Sequence, residues 1–296
     1  MYDKILVPLD GSKLAEVSLP YAEELASRLG SEITLIYLSP SENNPYYNVR
    51  KLYLDNIVNT TKGECKELCH KPESDTIKIK SSMLVGNVAE EIVQYADKED
   101  MGLIVLATHG RSGIKKWAMG SVASKIITGT KRPVMLIRAK ESATGAAKKG
   151  IIDKMLLPLD GSAESETILP HALMIAANFK SEVVLLQSIS LAYPTYTADA
   201  FAYVTYTDQQ MDAMKMSSLN YLEKVAATFR EKGIEASCDV RFGPAAEEII
   251  NYAEEIKADL VAMTTHGRSG IGRWLFGSTT VRIVKGGNTN LLLVRV

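Results

Sequence analysis

The sequence predicts an α/β chain built as two tandem, doubly wound five-stranded parallel sheets, each flanked by helices. Three observations carry this expectation. Lys4–Ser12, KILVPLDGS, returns at Lys154–Ser162 as KMLLPLDGS. Thr108–Ser121, THGRSGIKKWAMGS, returns at Thr265–Ser278 as THGRSGIGRWLFGS. Between these landmarks, each half alternates short apolar runs with amphipathic stretches, the pattern of strands joined by crossover helices.

The repeat is a whole domain, because its period is far longer than that of a solenoid. The 296 residues suit two domains of about 150 residues. The first is expected over 1–140 and the second over 151–296. Ala139–Gly150, AKESATGAAKKG, is small, polar and charged, and reads as the linker. The offset between repeats is 150 at the first landmark and 157 at the second. The second half is therefore longer by seven residues, expected within the Tyr- and Thr-rich Ser190–Gln210.

In the first half the strands are expected at Ile5–Leu9, Ile33–Leu38, Ile77–Met83, Leu103–Thr108 and Val134–Ile137. Near-continuous apolar runs of this kind fit a parallel sheet buried on both faces. Lys13–Leu29 has helical periodicity and stops at Gly30, a residue suited to ending a helix. Pro20 and Pro170 interrupt that segment at the same point of each repeat, which predicts a kink or a late start. Asn87 with Glu90 resembles a capping box opening the next helix. Gly243-Pro244 marks the matching start, with proline suited to an early helical position. Right-handed crossovers restrict the topology, and ligands of such sheets sit at the strands' carboxyl ends where the strand order reverses.

Composition excludes several classes of function. Lys and Arg total 34 against 35 Asp and Glu, a net charge of −1. That balance gives no electrostatic footprint for nucleic acid or an anionic membrane. No apolar run approaches the roughly 20 residues needed to span a bilayer. Met1–Ser12 lacks the pattern of a secretory signal, and a soluble, cytoplasmic chain is expected. Three cysteines, Cys65, Cys69 and Cys238, do not make a disulfide framework. Cys65, Cys69 and His70 lack a matching ligand pair, so they read as ordinary helix residues and no metal site is expected.

The repeated loop follows the fourth strand. A glycine before a helix lets backbone N–H groups approach an anion, and the helix N-terminus adds partial positive charge. Gly120 and Gly277 occupy that position, with Ser121 and Ser278 able to cap the helix or donate to a phosphate oxygen. Gly110 and Gly267, just after the strand, can present loop amides as a nest. Arg111, Lys115, Lys116, Arg268 and Arg273 could supply charge. The same glycines could equally serve only to shape a turn. The other landmark, Pro8 to Ser12 and Pro158 to Ser162, ends the first strand at the same face. Asp10 and Asp160 there can accept from ribose hydroxyls or cap the first helix, the capping falling to Ser12 if both hold.

Assembled, these segments resemble a tandem member of the universal stress protein family. The resemblance rests on ILVPLDGS and MLLPLDGS, GNVAEEIV and GPAAEEII, and both THGRSG…GS loops, and it covers almost the whole chain twice. It implies sheets of strand order 3-2-1-4-5, flavodoxin-like and similar to the adenine nucleotide alpha hydrolases. It also implies antiparallel pairing of the last strands, here Val134–Arg138 with Leu291–Arg295, inside one chain; a further homodimer is left open. Some family members bind ATP through Gly, two residues, Gly, nine residues, then Gly-Ser or Gly-Thr. The second and third glycines are kept in both repeats, whereas the first is Ala107 in one and Thr264 in the other. Because threonine is β-branched and resists positive φ, the second site is expected to be the weaker. The resemblance further places Asp10 and Asp160 on ribose or adenine, Leu38 and Ser188 at the adenine pocket, and Val122 and Thr279 as amide donors to phosphates.

A Walker A loop is absent, and HGRSG lacks the Gly-x-Ser-x-Gly spacing of a nucleophile elbow. His109 and His266 could act as acid–base groups, fix the loop, or touch the nucleotide. No catalytic residue is assigned. The expected role is a stress-response or regulatory module binding ATP or another adenine nucleotide, with or without Mg. Its alternatives are a nucleotide-free interaction scaffold and a slow ATPase. Ser190–Gln210 reads as a lid over the second site, a surface loop, or part of an interface.

Overall fold

The computed structural model describes residues 1–39, 41, 45–69, 77–108, 120–138, 151–191, 195–197, 200–202, 206–266 and 277–296. The first repeat runs β1 (Lys4–Leu9), α1 (Lys13–Glu16), α2 (Leu19–Leu29), β2 (Glu32–Ser39), α3 (Tyr47–Cys69), β3 (Ile79–Val85), α4 (Val88–Lys98), β4 (Leu103–Ala107), α5 (Ser121–Gly129) and β5 (Val134–Ile137). The second runs β6 (Lys154–Pro158), α6 (Ala163–Glu166), α7 (Leu169–Phe179), β7 (Glu182–Ile189), β8 (Thr195–Thr197), β9 (Ala200–Ala202), α8 (Asp208–Arg230), β10 (Ala236–Phe242), α9 (Ala245–Glu255), β11 (Leu260–Thr264), α10 (Ser278–Gly286) and β12 (Asn290–Val294).

Two compact units result. One is Met1–Ile151 with Asn288–Arg295; the other is Ile152–Gly287 with Val296. In the first, the strands lie in the order β3-β2-β1-β4-β5, all parallel. Beyond β5 comes β12, antiparallel to it, with Leu292 opposite Met135 and Leu293 opposite Val134. In the second unit β10, β7, β6 and β11 repeat the order 3-2-1-4 in parallel. The fifth strand of the second repeat is thus counted with the first unit, not with its own.

Burial explains the strands. Ile5, Leu6, Val7, Leu35, Ile36 and Leu103–Val105 are fully buried, as are Met155, Leu156, Leu157, Leu185 and Leu186. Helices cover both faces of such strands, and each buried aliphatic side chain contributes about 1.5–3 kcal/mol.

The single helix expected over Lys13–Leu29 is two. Ser12 Oγ accepts from Ala15 N at 3.1 Å and opens the short α1. Pro20 then sits in the first turn of α2, where a missing N–H is harmless, so the late start is the outcome found. Gly30 ends α2 in the left-handed region, φ 72°, and Lys180 takes the same role after α7 at φ 57°.

Four expectations need correction. Asn87 does precede α4, but its side chain caps no backbone amide and instead donates through Nδ2 to Glu90 Oε1 at 3.1 Å. Pro244 is the extended residue before α9, not its first turn. The third strand lies two residues later than expected, because its pairing with β2 begins at Ile79 opposite Ile33. The added residues are not a simple loop either. They include an antiparallel hairpin, β8 with β9, and Asp208–Gln210 already belongs to α8. Moreover Tyr53 of α3 and Tyr221 of α8 make matching contacts (below) at an offset of 168. Eighteen more residues therefore precede that tyrosine in the second repeat, and eleven fewer follow it. Among the described residues no helix is long and apolar enough to cross a membrane.

Candidate functional site

The carboxyl ends of β6 and β11 and the start of α10 enclose a cavity of about 270 Å³ in the second unit. Its wall includes Pro158 at the end of β6 and Asp160 after it, Ser188 near the end of β7, Thr264 ending β11 and His266 just beyond it, and Gly277, Ser278 and Thr279 opening α10. These are all the second-repeat candidates that fall among the described residues. Gly267, Arg268 and Arg273 lie outside them. Leu186, Ala245, Ile249 and Met263 add apolar wall that sequence reasoning did not single out.

The first repeat sets its candidates at the same elements. Pro8 is in β1 with Asp10 just after it, Leu38 is in β2, and Ala107 is the last residue of β4. Gly120 is the N-cap of α5, followed by Ser121 and Val122. His109, Gly110, Arg111, Lys115 and Lys116 lie outside the described residues.

Local bonding fixes both landmarks in the same way. Asp10 Oδ1 accepts from Ser12 N at 2.9 Å and Ser12 Oγ at 2.6 Å; Asp160 Oδ1 accepts from Ser162 N at 3.0 Å and Oγ at 2.6 Å. Ser12 and Ser162 in turn cap α1 and α6. At the other landmark, Gly120 N donates to Thr108 O at 2.9 Å, and Gly277 N to Thr265 O at 3.0 Å. The strand end and the helix start are thus clamped together. Glycine relieves a tight approach there, since a Cβ would lie 3.1 Å from Thr108 O and 3.3 Å from Thr265 O. Positive φ is not the reason: both residues have ordinary extended angles. Ser124 N and Val281 N make the first α5 and α10 helical bonds, to Gly120 O and Gly277 O. The amides ahead of them open each helix, and those of α10 add positive potential at the cavity.

The objection to Thr264 does not hold. It is a buried strand residue at the end of β11, outside the positive-φ positions. Its Oγ1 donates to His266 O at 2.6 Å, and Thr265 Oγ1 lies 3.0 Å from His266 Nδ1.

Two features escaped the sequence reading. Tyr53 OH donates to Glu16 Oε1 at 3.0 Å, and Tyr221 OH to Glu166 Oε1 at 2.9 Å, beside Asp10 and Asp160. Burial first, and then the neighbouring carboxylates, push both phenols well above the usual tyrosine range. The recurring Tyr-Leu pair, Tyr53-Leu54 and Tyr221-Leu222, was the available signal. In addition Arg50 lies over the Tyr37 ring, 5.6 Å from its centroid, and donates to Ser39 Oγ at 3.1 Å. This places a cation beside the end of β2 in the first repeat.

Among the described residues no group of three or more His, Cys, Asp or Glu could hold a metal ion. Cys65 is buried on α3 and Cys238 is half-buried on β10, where burial and Glu223 push its thiol up to about 12.

Comparison with known proteins agrees with the fold. The model of the universal stress protein family matches residues 1–138 and 152–295. Universal stress protein MJ0531 of Methanocaldococcus jannaschii is 30% identical over 141 residues, 47% of this chain and 83% of that protein. Universal stress protein Slr1230 of Synechocystis is 26% identical over 305 residues, 95% of this chain and 96% of that one. A crystal structure of a universal stress protein from Archaeoglobus fulgidus matches with a TM-score of 0.69 at 17% identity, covering 100% of this chain and 99% of that one. At that identity the likeness is one of fold.

Proposed function

The chain belongs to the universal stress protein family, and from that premise we propose that each repeat, 1–140 and 151–296, binds an adenine nucleotide, ATP foremost, as a regulatory module with little or no turnover. The observation that carries this reading is the cavity of the second unit, where Asp160, Ser188, Thr264, His266 and the Gly277–Thr279 segment meet. The residues present suit such a ligand. Asp160 would take the ribose hydroxyls, and the wall from Leu186, Ile249 and Met263 would receive the base. The amides opening α10 would receive phosphate oxygens, with the helix N-terminus supplying favourable charge. Asp10, Leu38, Gly120, Ser121 and Val122 would do the same in the first repeat.

Calorimetry with Mg-ATP on the full chain and on Gly277→Val tests the reading. The valine side chain would crowd Thr265 O and open the clamp. The account expects the affinity of the second site to fall at least about tenfold, one unmade charge-assisted contact being worth that much, with an unchanged far-ultraviolet spectrum. Equal affinity in the two proteins would remove the assignment.

One observation favours a second reading, the interaction scaffold. Tyr46, just before α3, and Val49 and Leu52 in its first turns are 64%, 61% and 64% exposed. An apolar stripe of this kind suits protein contact. The two readings are compatible if nucleotide binding governs that contact.

A further inference from the structure

At five matched positions the two repeats differ in a single chemical sense. Five positions that line the cavity of the second repeat carry hydroxyls where the first repeat has aliphatic side chains. Ser165 stands for Ala15, Ser188 for Leu38, Thr264 for Ala107, Thr279 for Val122 and Thr280 for Ala123. Four of these hydroxyls have already given their proton to the backbone. Ser165 Oγ donates to Ser162 O at 2.9 Å, Ser188 Oγ to Gly243 O at 2.8 Å, Thr264 Oγ1 to His266 O at 2.6 Å and Thr280 Oγ1 to Thr265 O at 3.1 Å. A hydroxyl whose one proton is committed can only accept from a ligand. Together with the Asp160 carboxylate, these four hydroxyls therefore present acceptors to whatever fills the cavity, Ser165 Oγ also accepting from Asp160 N at 3.4 Å.

We propose that the two sites are not equivalent: the second selects its ligand by the ligand's own hydrogen-bond donors, with Ser165, Ser188, Thr264 and Thr280 as specificity-determining residues, whereas the first does not. The inference rests on the nucleotide-binding reading above and deepens it. An adenine ribonucleotide carries such donors in its ribose hydroxyls and its exocyclic amine. A ligand without them leaves desolvated acceptors unpaired, and a site built to hydrogen-bond a donor rejects an analogue lacking it far more strongly than an apolar site does. At the same positions the first repeat has only aliphatic side chains, which are indifferent to that loss.

The test is native mass spectrometry of the full chain, counting bound ligands with ATP, 2′-deoxyATP and purine riboside triphosphate. The two analogues lack a ribose hydroxyl and the exocyclic amine in turn. The expected result is two ATP per chain and, with at least one analogue at the same concentration, one per chain. The second affinity for that analogue should be lower by about tenfold or more, the effect of one unmade bond to a buried acceptor. Thr264→Val with Thr280→Val keeps side-chain volume but removes the acceptors; Ser165→Ala with Ser188→Ala does so at the other end of the wall. At least one pair should bring analogue and ATP together in affinity at the second site. Two equivalents of both analogues, bound as tightly as ATP, would overturn the inference and leave nucleotide binding standing. So would discrimination that survives in both double variants. Absence of any bound ATP would instead overturn the nucleotide reading, and this inference with it.

Discussion

At the scale of single residues, the same position can be polar in one repeat and apolar in the other, and the consequences are measurable. Glu23 on α2 is 6% exposed, where the second repeat has Leu173. Burial is the main cause that raises its carboxyl to about 7; Glu64 on α3 adds to the rise and the Thr61 hydroxyl pulls it back. A carboxyl raised in the folded state is tolerated there in its neutral form. Below about pH 4.5 folded and unfolded chains both hold the proton, and Glu23 carries no penalty. From there to about pH 7 the unfolded chain releases its proton first, so stability falls as pH rises, and above pH 7 the loss is constant. Glu23→Gln should therefore leave stability unchanged near pH 4 and raise it by up to about 3 kcal/mol above pH 7, in urea unfolding at the two pH values. The periodicity of Lys13–Leu29 placed Glu23 on a helix. It could not show that α3 would cover it, because that contact joins segments far apart in the chain. The Tyr53–Glu16 and Tyr221–Glu166 bonds were hidden for the same reason. Ser12 was legible, since a cap is a local bond made three residues away.

At the scale of elements, strands were the most legible parts, because burial on both faces leaves a continuous apolar run. Helix ends were less so. Gly30 announced the left-handed end of α2, but its counterpart in the second repeat is Lys180, which holds φ 57° with a side chain attached. A left-handed residue with a Cβ is strained by about 1–2 kcal/mol. Part of that is returned as entropy when glycine replaces it. Lys180→Gly should thus stabilise the second unit by about 0.5–1 kcal/mol, read as a higher midpoint in thermal unfolding. Loss of stability would mean that the Lys180 side chain holds the turn. The Asn87–Glu90 spacing promised a capping box, yet the asparagine reaches the glutamate side chain and no backbone donor. Spacing alone does not fix a rotamer. The strand-to-helix clamp was half legible: glycine was expected at Gly120 and Gly277 for the approach of an anion to backbone amides, whereas the close neighbour of each is a carbonyl of the strand end.

On the scale of the whole molecule, the duplication was plain from two repeated segments, and the pairing of the last strands was expected from the resemblance. What the sequence did not reveal is that β12 packs as part of the first unit. Asn290 ties it there twice, accepting from Arg138 N at 2.9 Å and donating through Nδ2 to Tyr21 OH at 3.0 Å. Arg295 adds a bond to Thr130 O at 3.2 Å. Leu292, fully buried and opposite Met135, belongs to the second repeat in sequence. Leu292→Ala should accordingly destabilise the first unit, by about 2–5 kcal/mol, the usual effect of emptying a buried leucine site. Hydrogen exchange at Met135 and Leu136 would report it, and unchanged protection there would contradict the assignment of β12.

The central claim is that both repeats of this universal stress protein hold an adenine nucleotide at the carboxyl ends of their strands. The most direct test is to denature the purified protein, identify any released nucleotide by mass spectrometry, and measure its ratio to protein. The account predicts adenine nucleotide in a ratio approaching two per chain, restored by added Mg-ATP where purification has stripped it. No released nucleotide, with no heat of binding on adding Mg-ATP, would contradict it and leave the interaction scaffold as the reading of this fold.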